Sequence, residues 1–526
     1  MLIILFAYQY YADRNKPKVS PPQRQEEPRS VPSSEEMEER ATLPEADLSP
    51  APPRSQLAKE KDIVVETDLL RVVVSNRGGQ IKSWQLKKYL ESDGTLVDIV
   101  GKRTEVHETM ALRTWSGNQE ASHGIYSANL DQLFLSEEAE KGTLVLRHRT
   151  STGLEFTKSI TFFQNEYKID LETRVKNMGR REGAVTFDLL WGPGIRGGGG
   201  SKEKPIKPVT TLVNGQRVQD KWEKLDRGVK REGTVSWTAI HDNYFCAALI
   251  PLEKGGWAQV DKIREAGPLV GLAFPKRRLL PGESASESYS LFVGPKEIER
   301  LTRMGLQMRD IIDLGWFDFL ARPALYFLKY TQKYLKNYGL AIIVLTFLVR
   351  IILFPLTYKS IKSMQDMQKL QPKMGAIRER FKGDSKRMNQ ELMDLYRKHN
   401  ISPLGGCLPM LLQIPIFIAL YNALINSVEL WKAPFVWWIR DLSSKDPFYV
   451  LPILMGASWV IQQAMTPTVG DPRQAKMMLL MPIVFTFMFL NFPSGLVLYF
   501  LVSNLLGIGQ QLIINRQLKA PSPAGG

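Results

Sequence analysis

Leu345-Thr-Phe-Leu-Val-Arg350-Ile-Ile-Leu-Phe-Pro-Leu356 puts one guanidinium in the middle of an otherwise apolar run. Arg350 precedes Lys359, the next charge, by nine residues, which at 1.5 Å per residue is about 13 Å along a helix. An Arg at that depth of a bilayer costs at least ~2.5 kcal/mol on insertion scales. The run, about 339–358, is the first of five strongly apolar stretches; the others are about 404–428, 448–466, 477–492 and 495–514. None holds an Asp or Glu, so Arg350 is their only full charge. Several are shorter than the roughly 20 residues that cross a bilayer, which suits a locally thinned membrane. Snorkelling is the bland reading of Arg350, but an interface this distant is hard to reach. We read instead a water-filled cavity, open to the cytoplasm, in which Arg350 meets an acidic visitor. Thr346, Gln413, Asn422, Asn426, Gln462, Gln463, Ser503 and Asn504 are placed to wet the same cavity. Singly, each is equally well an interhelical hydrogen bond.

Working outward, the short loops orient the bundle. Residues 359–400 hold 11 Lys and Arg, with Arg473, Lys476, Arg516 and Lys519 on the same side; Lys432, Arg440 and Lys445 stand on the other. The basic side is expected to be cytoplasmic. That puts the C-terminus (tail 515–526) inside and the segment 59–313, just before the bundle, outside. The basic loop has a helical period of its own: Ile361, Met364, Met367, Leu370, Met374, Ile377 and Phe381, a break at Gly383-Asp384, then Met388, Leu392 and Leu395. It reads as a cytoplasmic helical hairpin over 359–400. Its Met content suits varied apolar chains, and its charge suits lipid headgroups or ribosomal RNA, with no nucleic-acid sequence preference.

Upstream, Trp316 to Tyr330 is aromatic and interrupted by charge, which predicts an interfacial amphipathic helix over 314–336 rather than a span. From about 59 to 313 the texture is β. Ile63-Val-Val-Glu-Thr, Leu70-Arg-Val-Val-Val, Thr143-Leu-Val-Leu-Arg, Leu154 to Phe163 and Tyr167 to Val175 are short runs, several alternating, separated by turn residues. An all-β sandwich follows. The glycines 197–200 precede Ser201-Lys202, the wrong order for a phosphate loop, and read as a plain loop. Ser20 to Gln56 carries 8 Pro and 8 Asp and Glu, too polar to offset its ordering entropy, so 13–58 is expected to be a disordered linker. Residues 1–12 are apolar but too few to span, and are read as the truncated remainder of a longer first transmembrane helix, with a cleaved signal peptide as the rival.

Composition bounds the rest. The 526 residues suggest about two to four domains, and 69 Lys and Arg against 54 Asp and Glu give +15. Two Cys, 246 and 407, exclude a disulfide scaffold, and the five His are too scattered to suggest a metal motif, so neither metal nor cofactor is expected.

Longer motifs carry a resemblance. Leu370-Gln-Pro-Lys, Asn400-Ile-Ser-Pro-Leu-Gly-Gly-Cys-Leu-Pro-Met-Leu-Leu-Gln-Ile-Pro-Ile-Phe-Ile-Ala-Leu-Tyr421, Leu451-Pro-Ile-Leu-Met-Gly and Phe492-Pro-Ser-Gly-Leu-Val-Leu-Tyr499 are similar to the YidC/Oxa/Alb family of membrane protein insertases, in its Gram-negative form. The likeness runs from about 315 to 516, and less distinctively through Thr67-Asp-Leu-Leu and Asn76-Arg-Gly-Gly. It implies an inner-membrane insertase, not an enzyme, with a periplasmic β-supersandwich before a five-helix core over 337–514. Its cytoplasm-open groove would carry Arg350, with Thr346 and the Tyr499-Phe500 pair as further groove positions. Nascent membrane proteins would be its clients, with the Sec translocon (SecYEG, SecDF), the ribosome and lipid as partners. The tail after Arg516 has one further Lys, so the resemblance does not extend ribosome docking to it. Two rivals from other classes are an anion transporter using Arg350, for which paired repeats are missing, and a membrane-anchored carbohydrate enzyme, for which no catalytic carboxylate or His pair stands out.

Overall fold

The computed structural model describes residues 59–519 apart from 92, 101–110, 114–119, 137, 196–205, 226, 264–266, 400–407 and 466–471. The expected first helix at 1–12, the linker 13–58, the glycine loop at 197–200, Cys407 and most of the tail lie outside the described residues.

Alternation builds the β part. In Leu154–Phe163 every second residue from Leu154 to Phe162 is buried, and the residues between them are half-buried. The strand pairs antiparallel with Lys168–Asn177, Ile169 opposite Phe162, and that strand pairs in turn with Ser284–Pro295, Lys168 opposite Phe292. They lie within a nine-stranded sheet. A five-stranded sheet holding Asp62–Glu66, Leu70–Ser75 and Ile81–Leu90 packs on it, and a second five-stranded sheet contains Trp257–Ile263 and Gly267–Ala273. Trp84 crosses between layers: it is fully buried, its Nε1 donates to the Val293 carbonyl at 3.0 Å, and its ring lies 6.2 Å from Trp191. Burying a ring of this size contributes roughly 2–3 kcal/mol. The sheet-on-sheet sandwich is the architecture read from the alternation.

The helical part begins with α1, Asp318–Leu335, which buries Ala321, Leu325 and Leu328 and leaves Phe319, Tyr330 and Tyr334 exposed. α2, Tyr338–Lys369, is capped by Asn337, whose side chain accepts from the Leu340 N–H at 3.1 Å. Then come α3, Gln371–Arg380; α4, Ser385–Lys398; α5, Leu408–Ile425; α6, Val450–Met465; α7, Pro472–Phe489; and α8, Ser494–Lys519. Each of the five apolar stretches holds a helix. Among the described residues α2 and α8 are long and apolar enough to cross a membrane; α5, α6 and α7 contain shorter apolar helices. The bundle's outer surface is apolar, with Ile352, Phe487 and Ile513 all more than half exposed, which lipid rather than water suits.

One boundary is continuous in the structure. The hairpin read over 359–400 has no separate start, because α2 is one helix of 32 residues, about 48 Å long. It outruns the roughly 30 Å of hydrocarbon and itself forms the hairpin's first arm. No turn residue separates Leu356 from Lys359, so nothing ends the helix there. Met367, Leu370 and Met374 then pack against Leu392, Leu395 and Tyr396 across the turn, and Asp384 caps α4 by accepting from Lys386 and Arg387 N–H.

Candidate functional site around Arg350

α2 and α8 lie side by side and bring Arg350 to Ser503, its Nε donating to Ser503 Oγ at 3.0 Å. Gln510, two turns further along α8, donates to the Arg350 carbonyl at 3.3 Å. One turn before Ser503, Tyr499 is fully buried and its hydroxyl accepts from Gln413 Nε2 of α5 at 3.1 Å. Its neighbour Phe500 packs on Phe417 of α5 and Phe489 of α7, with ring centroids 5.4 and 5.1 Å away. Four of the expected groove residues (Arg350, Gln413, Tyr499 and Ser503) thus form one polar string across three helices, with Phe500 on its apolar flank.

Two expected groove residues lie differently. Thr346 is fully buried, and its hydroxyl donates to the Ile342 carbonyl of its own helix at 2.7 Å, so it presents no free polar group. A hydroxyl one turn after a carbonyl satisfies itself locally, which spacing alone does not distinguish from lining a cavity. Asn422 is not in the string at all. It lies nine residues beyond Gln413, about 13 Å along α5, and donates to the Leu314 carbonyl at 3.1 Å. It belongs to the junction with the β part.

Gly507 is the residue that sequence reading missed. A Cβ there would sit 2.8 Å from Gln462 Nε2 and 3.2 Å from Arg350 Nη2. The bare backbone of α8 is the berth in which the guanidinium and the Gln462 amide lie. A glycine inside an apolar helix gives no sequence signal of what it makes room for. Among the described residues no carboxylate pairs with Arg350; its side-chain neighbours here are a hydroxyl and an amide. A desolvated cation so placed keeps a strong unmet attraction for an anion.

Profiles of known families match the chain in two pieces, one described as the YidC periplasmic domain over residues 62–327 and one as the 60Kd inner membrane protein over 330–521. The membrane protein insertase YidC of Geobacter sp. (strain M21) is 44% identical over 471 residues, covering 88% of this chain and 87% of its own. The chain belongs to the YidC family of membrane protein insertases. The relative from Geotalea daltonii is 41% identical and extends the match to 99% of this chain and 98% of its own. A crystal structure titled as an active YidC insertase with the first transmembrane domain resolved covers 86% of this chain and 92% of its own, at 18% identity and a TM-score of 0.36, too loose a likeness to argue from. Family membership makes the chain an inner-membrane protein whose β part is the periplasmic domain, and its relatives are named as insertases, not as enzymes. Nascent membrane proteins are the corresponding substrates.

Proposed function

We propose that Arg350, Gln413, Tyr499 and Ser503 line a hydrophilic groove, open to the cytoplasm, that takes the polar flank of a nascent segment part-way across the membrane. The observation that carries this reading is a membrane-embedded guanidinium held by a hydroxyl and lacking a carboxylate partner among the described residues. Acidic groups in the flank are drawn to Arg350, which shortens their path through hydrocarbon. The apolar segment then leaves sideways into lipid, driven by about −0.3 to −0.6 kcal/mol for each Leu, Ile, Phe or Val. On this reading Arg350 forms no covalent bond with the client, and no cofactor takes part.

On this reading the hairpin and the C-terminal end of α8 lie in the cytoplasm, because the basic loops are on that side. Their charge supports contact with the ribosome and with anionic lipid, and the Sec translocon (SecYEG, SecDF) shares clients with the groove. The 59–313 segment is then the periplasmic domain, and α1 lies along the outer leaflet with its exposed rings in the interface.

The test uses one client with either an acidic or a neutralised translocated flank, inserted into proteoliposomes. Arg350→Ala should lower insertion of the acidic-flank client several-fold and spare the neutral one. Arg350→Lys should retain much of the activity, because a mobile acid needs a positive charge rather than a bidentate fork. Equal loss for both flanks would mean that Arg350 only holds α2 to α8.

A further inference from the structure

We propose that the loop between α5 and α6, residues 433–449, is an anchor that seats the outer end of the bundle in the phospholipid interface of the outer leaflet, with Trp437 and Phe448 as its immersed side chains. The proposal is independent of the groove reading. Trp437 is 86% exposed and Phe448 66%, and Val436 and Tyr449 are exposed beside them. Trp437 and Tyr449 both stand at positive φ, +52° and +57°. Bulky side chains enter that region only when their surroundings hold them there. The loop is therefore built to present its rings, and has not simply failed to cover them.

The surroundings that hold it are specific. Asp446 accepts from Trp438 Nε1 at 3.1 Å and from the Phe448 and Leu451 N–H groups at 3.0 and 2.7 Å. Asp441 accepts from the Lys432 and Ser443 N–H groups at 3.2 and 2.8 Å. Three helix starts grip the same loop. Asn337, the cap of α2, donates to the Phe435 carbonyl at 2.9 Å, and a Cβ on Gly339 would run into the Phe435 ring. At the start of α8, Ser494 and Gly495 N–H donate to the Ser444 and Leu442 carbonyls at 2.7 and 2.9 Å. α6 follows directly, its Ile453 N–H bonded to the Tyr449 carbonyl at 3.2 Å. The loop thus lies at the level where α2, α6 and α8 all begin. That level is the periplasmic end, because Trp431 just before the loop packs on Tyr244 of the β part.

Continuity with the spans identifies what covers the rings. Ile453, one turn after Tyr449, is 58% exposed, and Leu454 of α6 and Leu340 in the first turn of α2 are exposed as well. The loop prolongs the surface that the spans turn to lipid. Arg440 and Lys445 are exposed too, and neither makes an ion pair among the described residues. Exposed rings flanked by free cations match the interface, where rings sit at headgroup level and cations meet phosphates. Anchors of this kind help to set the tilt and depth of the spans they flank.

The test uses the full chain in vesicles of phosphatidylethanolamine and phosphatidylglycerol, with no other protein present. Cys246 and Cys407 are replaced, Val436→Cys carries an environment-sensitive fluorophore, and nitroxides stand high on the lipid acyl chains. The control is the same label on Leu252→Cys, an exposed site beyond the far end of the strand that starts at Phe245. The Val436 label should be quenched several-fold more than the Leu252 label. Trp437→Ser with Phe448→Ser should lower that quenching several-fold; both rings are exposed, so the fold does not depend on them. A Val436 label as accessible to water as the control would overturn the proposal, and is the result expected if this face is kept for another protein. Quenching unchanged by the double substitution would also overturn it, because the spans alone would then set the depth.

Discussion

Lys158 shows how much one residue can depart from its pattern. It occupies an inward position of Leu154–Phe163, between Phe156 and Ile160, where alternation predicts an apolar side chain. Its amine donates to the Gly78 carbonyl and lies 5.3 Å from the centroid of the Tyr126 ring, and burial lowers its pKa to about 7. The unfolded value is near 10.4. Between the two the unfolded chain binds more protons, so the cost of burying the ammonium is full below about pH 7 and shrinks as pH rises toward 10. Lys158→Met should therefore raise the thermal midpoint of the protein in detergent at pH 6, and its advantage should narrow steadily by pH 10. A constant gap across that range would mean that the folded protein keeps the amine protonated up to pH 10, so that burial does not lower its pKa. At the same scale, Arg350 announced itself in the sequence because a charge in hydrocarbon needs a reason, whereas Gly507, which gives it room, announced nothing.

Among the elements, the hairpin leaves much of its apolar face unburied by the described residues. α4 carries a strongly one-sided apolar stripe, yet none of its residues is fully buried, and Met393 is 43% exposed. Its contacts with α3 and the end of α2 are made by Leu392, Leu395 and Tyr396, whose hydroxyl reaches Met374 Sδ at 3.6 Å. The rest of the stripe is free for a client or a lipid surface, and flexible Met side chains fit both. Deleting residues 366–396 should abolish insertion while the helical circular dichroism of the bundle persists, because these contacts lie beyond the spans. Insertion that survives the deletion would remove the hairpin from the mechanism. The helical period of this segment was legible residue by residue; its fusion to α2 was not, because Pro355, the helix-breaking residue nearest the boundary, lies inside α2 without ending it.

The whole molecule joins a β sandwich to a helical bundle through a short polar and aromatic seam. Trp431, in the loop after α5, packs on Tyr244 and Phe245 of the domain at 4.7 and 5.6 Å, and Lys329 of α1 reaches Glu299 at 3.0 Å. Orientation is a property at this scale, and 15 basic residues on one side of the spans against three on the other lead us to expect that side in the cytoplasm. Protease added to spheroplasts should digest 59–313 and spare 359–400; the reverse pattern would end the argument for this topology. The sequence alone determined the sandwich, the five apolar helices, the amphipathic segment before them and the isolated cation among them. Those are consequences of period, length and charge, which are local and survive without knowledge of neighbours. Only the tertiary structure decided which polar residues meet. Thr346, Gln413, Asn422 and Ser503 looked equivalent as polar positions in apolar helices, yet one bonds its own helix, two join the Arg350 string and one grips the domain. A polar group in a span must find some partner, but sequence does not say which helix will stand opposite; that is settled by packing between segments far apart in the chain.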